Sequence, residues 1–133
     1  MPHITIDYTS GLDADIDMRA LADAVHDSAC RSGVFPIGGV RTLVRQALYS
    51  RVADRGDGAG FVQISVRIAP GRSTETKAEV ARALFEAAAS AMSAVFETRD
   101  DVALQLEMTE FDPAMTLSRN KMMPPGGGIR TPR

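Results

Sequence analysis

The sequence predicts an α/β (α+β) domain of two fused βαβ units, a four-stranded sheet with two helices on one face. Three observations predict it. Four short stretches alternate apolar and polar residues, the period of a strand with one buried face: Ile4, Ile6 and Tyr8; Val40, Thr42 and Val44; Val62, Ile64, Val66 and Ile68; and Val102, Leu104, Leu106 and Met108. Two longer stretches, after the first and third of these, place apolar residues at helical spacing. The plan also repeats, with Ile4-Thr5-Ile6 answering Ile64-Ser65-Val66 at an interval of about sixty residues. Each strand–helix–strand crossover should give a parallel, right-handed pair.

The first strand is expected over residues 3–8, and Ser10-Gly11 breaks it. Asp13, Asp15 and Asp17 then suit the positive end of a helix. Met18, Leu21, Ala22, Val25 and Ala29 form that helix's apolar face, and Gly33 fits its C′ position. Val34-Phe35-Pro36-Ile37-Gly38-Gly39 reads as an apolar turn closed by glycines, which allow close backbone approach. A second strand is expected from Val40 to Tyr49, and Ala53 to Gly60 is the clearest linker.

The second unit opens with a strand from Phe61 to Ala69. Pro70-Gly71-Arg72-Ser73 turns the chain, and Ser73 is placed to cap a helix with Glu75 in its first turn. Val80, Ala81, Leu84, Ala88, Met92 and Val95 read as one apolar stripe of that helix, and the fourth strand follows. The opposite sheet face would carry Thr5, Asp7, Gln63, Ser65, Arg67, Gln105 and Glu107. Such a semi-polar surface suits solvent or a wet space between subunits. Residues 1–112 are expected to form a single domain, with βαβ repeats at 2–50 and 60–112. Residues 113–133 would be a C-terminal tail, partly disordered, with Pro124 to Arg133 lacking any periodic pattern. Part of Pro113 to Met123 is expected to lie across a neighbouring subunit.

A net charge of −2 over 133 residues gives no general drive toward nucleic acid or an anionic membrane. No aromatic-plus-basic patch, phosphate loop, dinucleotide fingerprint or hydrolase elbow is present. Cys30 is the only cysteine, so there is no disulfide framework. No signal peptide or bilayer-spanning stretch is seen, and a cytoplasmic location is expected. His26 and Cys30 lie four apart on a helix, but a nucleophilic pair needs an orienting group and a cleft. Cys30 reads better as a small buried hydrophobe and His26 as a surface residue. Two histidines and one cysteine make no convincing zinc site, so no metal is expected.

The chain begins Met1-Pro2-His3-Ile4. Removal of an initiator Met is favoured when the next residue is small, and Pro2 would then carry a secondary amine as the free terminus. An amine tied to a core strand is held in place, and burial or nearby cations lower its pKa toward neutrality, where a general base is effective. Read alone, Pro2 more plainly starts an edge strand, where its missing N–H costs nothing. Arg41 would lie at the same sheet end as Pro2, because its strand should run parallel to the first. A surface ion pair is the plainer reading of Arg41. Arg72, beside a helix start, is placed to complete a carboxylate site or else is a solvated turn residue.

Taken together, Met1-Pro2-His3-Ile4, Gly33 to Arg41 (Gly-Val-Phe-Pro-Ile-Gly-Gly-Val-Arg) and Ala69-Pro70-Gly71-Arg72-Ser73 resemble the tautomerase superfamily. Within it, the similarity is to the 5-carboxymethyl-2-hydroxymuconate isomerase family, over residues 2–112. The resemblance implies a mixed sheet, a homotrimer around a central space, and a cofactor-free isomerase in bacterial breakdown of homoprotocatechuate, an aromatic acid. It implies Pro2 as catalytic base, with Arg41 and Arg72 holding the carboxylates of a small polycarboxylate substrate or polarising its carbonyl. Two alternatives stay open: hydration or dehalogenation of a small unsaturated acid on the same platform, and a non-catalytic trimeric binding protein.

Overall fold

The computed structural model describes residues 1–55 and 58–123. Its sheet has the order β2-β1-β3-β4, built from β1 (His3–Thr9), β2 (Arg41–Ala47), β3 (Gly60–Ile68) and β4 (Val102–Glu110). Within each unit the strands are parallel, β1 with β2 and β3 with β4, and the two units join through the antiparallel pair β1–β3. The sheet is therefore mixed. Composition explains why β1 and β3 are central. They alternate Ile and Val without interruption, and Ile4↔Val66 and Ile6↔Ile64 are paired and fully buried. β2 and β4 are the edges, and their inward residues are only partly covered.

Helices α1 (Met18–Arg31) and α2 (Thr74–Ala91) cover one face, packing Leu21, Val25, Ala29, Val80, Leu84 and Ala88 into the core. Local chemistry fixes their ends. The Asp17 carboxylate accepts the Ala20 N–H at 3.1 Å, and the Ser73 hydroxyl accepts the Thr76 N–H at 3.1 Å, each such cap stabilising by about 1 kcal/mol. Gly33, just past α1, has φ 72°, a left-handed conformation that favours glycine.

Three boundaries differ from the sequence reading. β2 ends at Ala47, where β1 offers no further partner beyond Thr9, so Leu48 and Tyr49 are left exposed outside the sheet. The second helical stripe is broken at Met92 (φ −100°, ψ 6°), and a short helix α3 (Ser93–Thr98) continues it. Ser90 and Ser93 flank the break, and serine competes with the helix for backbone hydrogen bonds. Met92 and Val95 nevertheless stay buried. Gly60 belongs to β3 rather than the linker, because it pairs with Val102 of β4 and its N–H donates to the Asp101 carbonyl at 2.9 Å; its missing Cβ leaves room for Leu12. Leu12, Ile16 and Phe35 complete the core from loops that carry no periodic signal.

The other sheet face is semi-polar. His3, Thr5 and Asp7 face it opposite Arg67, Ser65 and Gln63 on β3, and opposite Arg41, Leu43 and Arg45 on β2. Asp7 and Arg45 pair across it at 3.0 Å. Among the described residues no helix is long and apolar enough to cross a membrane. The stretch Pro124 to Arg133 lies outside the described residues.

Candidate active site

Pro2 is buried, and its carbonyl accepts the Arg41 N–H at 3.1 Å, extending the β1–β2 ladder by one rung. β1 is interior to the sheet, so Pro2 does not begin an edge strand. It stands immediately before a central strand, a position that tolerates proline because no ladder donor is demanded of it. The terminus is therefore anchored where most chain ends fray.

The glycine turn lets two other segments close on this end of the sheet. Ile37–Gly39 forms a single 3-10 turn, with the Gly39 N–H donating to the Pro36 carbonyl at 2.9 Å. A Cβ on Gly39 would lie 2.6 Å from Met1 Cγ, and one on Gly38 would collide with the Met122 backbone. Met1 thus lies against one glycine and the returning tail against the other.

Arg41 opens β2 directly opposite His3. Its Nη1 donates to His3 Nε2 at 2.9 Å, so that nitrogen keeps its lone pair and the imidazole is neutral. His3 also stacks on Phe111, with ring centroids 6.4 Å apart. Arg72, reached from the β3–α2 turn, is fixed more firmly. Its Nη1 donates to the Ala69 carbonyl and its Nη2 to the Val34 carbonyl, each at 3.1 Å, and its guanidinium lies 5.0 Å over the buried Phe35 ring. These bonds leave N–H donors on both guanidinium groups for an anion.

Both arginines act on the terminal amine. Desolvation is the largest influence, followed by Arg72 and then Arg41, and together they hold the Met1 amine below the ordinary 8.0. His3 is likewise pushed below its usual range, by burial first and then by Arg41, the terminus and Arg67. A half-buried amine of lowered basicity among fixed cations is an arrangement suited to an acidic substrate and to proton transfer.

The structure therefore brings Arg41 and Arg72 together around the N-terminus. Sequence reasoning had not singled out His3, Phe35 or Val34, which hold the two arginines. The parallel register would have revealed His3, since it fixes the His3–Arg41 pairing. Nor had it singled out Asn120, whose Nδ2 donates to the Gly38 carbonyl at 2.8 Å and reaches Met1 Sδ at 3.9 Å. His26 and Cys30 take no part. His26 Nδ1 and Thr42 Oγ1 are hydrogen-bonded at 2.8 Å, half-buried rather than at the surface, and Cys30 packs against the core. Among the described residues no three His, Cys, Asp or Glu side chains gather where they could hold a metal.

A family profile described as 5-carboxymethyl-2-hydroxymuconate isomerase matches residues 2–124. The 5-carboxymethyl-2-hydroxymuconate Delta-isomerase of Escherichia coli is 26% identical over 122 residues, which is 92% of this chain and 96% of that one. The crystal structure of a 5-carboxymethyl-2-hydroxymuconate isomerase from Deinococcus radiodurans R1 superposes with a TM-score of 0.83 at 30% identity, covering 91% of this chain and 90% of the other. A fused 4-OT, described as a symmetric trimer, shares the fold at a TM-score of 0.61 and 24% identity, over 87% of this chain and 94% of that one. With its mixed sheet, two covering helices and cationic N-terminal site, the chain belongs to the 5-carboxymethyl-2-hydroxymuconate isomerase family, isomerases of the tautomerase superfamily.

Proposed function

We propose that this chain isomerises 5-carboxymethyl-2-hydroxymuconate, the compound named for its relatives, in the cytoplasmic breakdown of an aromatic acid, homoprotocatechuate. Pro2, freed by removal of Met1, is the general base. The observation that carries this is the chain terminus held at a sheet end between Arg41 and Arg72, where partial burial and these two cations lower the basicity of the Met1 amine; the Pro2 amine left by processing would enter the same surroundings. The neutral Pro2 nitrogen takes the proton of the enol hydroxyl, and the oxygen lone pair forms the C=O bond. Electrons shift along the conjugated chain, and the same proton is delivered from the Pro2 ammonium to a carbon further along it. The amine returns to its starting form, and no metal or cofactor enters. Arg41 and Arg72 hold the carboxylates and stabilise the dienolate as charge develops.

The active form is a homotrimer. Supporting this, the fused 4-OT neighbours sharing the fold are described as symmetric trimers. Leu43, Leu48, Met115 and Leu117 are also exposed here, apolar surface that a partner copy would cover.

The direct test is loss of the substrate's dienol ultraviolet band on mixing with processed protein. Acceleration well above the buffer rate is expected, and none, with Met1 confirmed absent by intact mass, would contradict the assignment. Arg41→Ala should raise KM about 10-fold, as loss of one charge-assisted contact does. It should also raise the His3 pKa, since a cation beside the imidazole is removed. A pH titration of the His3 ring signals by NMR checks the second effect, and an unmoved titration would show that the Arg41–His3 contact is not kept in solution.

A further inference from the structure

The tail that follows β4 returns to its own chain. After the turn Pro113–Met115 it runs to Asn120, whose side chain is held at both ends: Nδ2 donates to the Gly38 carbonyl at 2.8 Å, and Oδ1 accepts the Met122 N–H at 2.8 Å. With Oδ1 and one amide hydrogen so engaged, the rotamer is set. Nδ2 also donates to Met1 Sδ at 3.9 Å, and a thioether is a weak acceptor. Met1 therefore traces a path from the Pro2 nitrogen, past Gly39, to the Asn120 amide. Removal of Met1 empties that path and leaves a pre-oriented donor facing it.

We propose that Asn120 is a substrate-binding residue, donating from Nδ2 to an anionic oxygen of a conjugated carboxylic acid that takes the place of Met1. The inference rests on the reading of Pro2 as the processed terminus. An acid with its enol at the amine extends along the path Met1 now fills. An oxygen in place of Sδ converts a weak contact into a charge-assisted hydrogen bond. The Gly38 carbonyl fixes the donor's direction, so little side-chain entropy is lost on binding. Arg41, Arg72 and Asn120 then approach the ligand from β2, the β3–α2 turn and the tail respectively.

The test is titration calorimetry of the processed chain with cis,cis-muconate, a conjugated dicarboxylate, for the wild type, Asn120→Ala, Asn120→Asp and Ser118→Ala. Ser118, an exposed residue of the same tail, should leave binding unchanged. Asn120→Ala should weaken binding about 5- to 10-fold, the loss of one hydrogen bond to a charged group. Asn120→Asp should weaken it further, because a carboxylate would then face the ligand's own. If Asn120 merely anchored the tail, Ala and Asp would weaken binding alike, since both lose the donor to the Gly38 carbonyl. Equal weakening, unchanged binding in both variants, or no binding by the wild type would overturn the proposal. Turnover of 5-carboxymethyl-2-hydroxymuconate, measured in parallel, reports on the isomerase reading separately. Its absence contradicts the role of Pro2, while the order of Ala and Asp still decides on Asn120.

Discussion

Replacing Pro2 with Leu, which prevents removal of Met1, should lower kcat/KM by about 10²–10⁴-fold, the share of rate that a positioned general base supplies. The Met1 chain lies along the site against Gly39, and its amine is displaced by one residue from the position the chemistry requires. In addition, the nitrogen of residue 2 becomes an amide with no basic lone pair. Pro2→Ala is the informative companion. It keeps a small residue, allows Met1 to leave, and supplies a primary amine at the same place. Partial activity is expected of it, and full activity would argue against a tuned secondary amine. Intact mass of each variant, taken with steady-state kinetics, separates loss of the base from failure of processing.

Arg72→Ala should lower kcat/KM by about 10–100-fold and move the acid limb of the pH profile upward. Arg72 is the larger of the two cationic influences on the Met1 amine, and the Pro2 amine left by processing would lie beside the same guanidinium. With its positive charge gone the protonated amine is less disfavoured, so the amine's pKa rises. A base works only above its own pKa, so activity near neutrality falls by this route as well as through lost substrate contact. Arg72→Lys is not a rescue, because Lys cannot donate to the Ala69 and Val34 carbonyls from one planar group while stacking on Phe35. A folded Arg72→Ala variant with unchanged kinetics at every pH would remove Arg72 from the site.

Much of the fold was legible because it rests on period. The Ile and Val alternation of β1 and β3, the acidic run that leads into α1, the cap residue Ser73, and Gly33 at C′ are local signals, and the structure realises each of them. What was not legible is what depends on neighbours. The end of β2 follows from the length of β1, and the break at Met92 follows no spacing that the apolar stripe reveals. The placement of Arg41 near Pro2 was readable from parallel register alone, and the His3–Arg41 contact is its direct consequence. Arg72 was visible as an arginine beside a helix start. Its anchoring to the Val34 carbonyl and Phe35 spans the two units, and no local pattern encodes that. Asn120 was hidden for a different reason. It lies in an aperiodic tail, and its significance comes from a carbonyl 82 positions away.

The central claim is that a Pro2 amine of lowered basicity is the base. The measurement that addresses it most directly is a nitrogen NMR titration of ¹⁵N-proline-labelled, processed protein, set beside the pH dependence of kcat/KM. The account predicts that the Pro2 nitrogen titrates below the range of an ordinary N-terminal proline amine, and that the acid limb of kcat/KM falls at the same pH. A Pro2 nitrogen with ordinary basicity, or a limb that does not follow its titration, would contradict it.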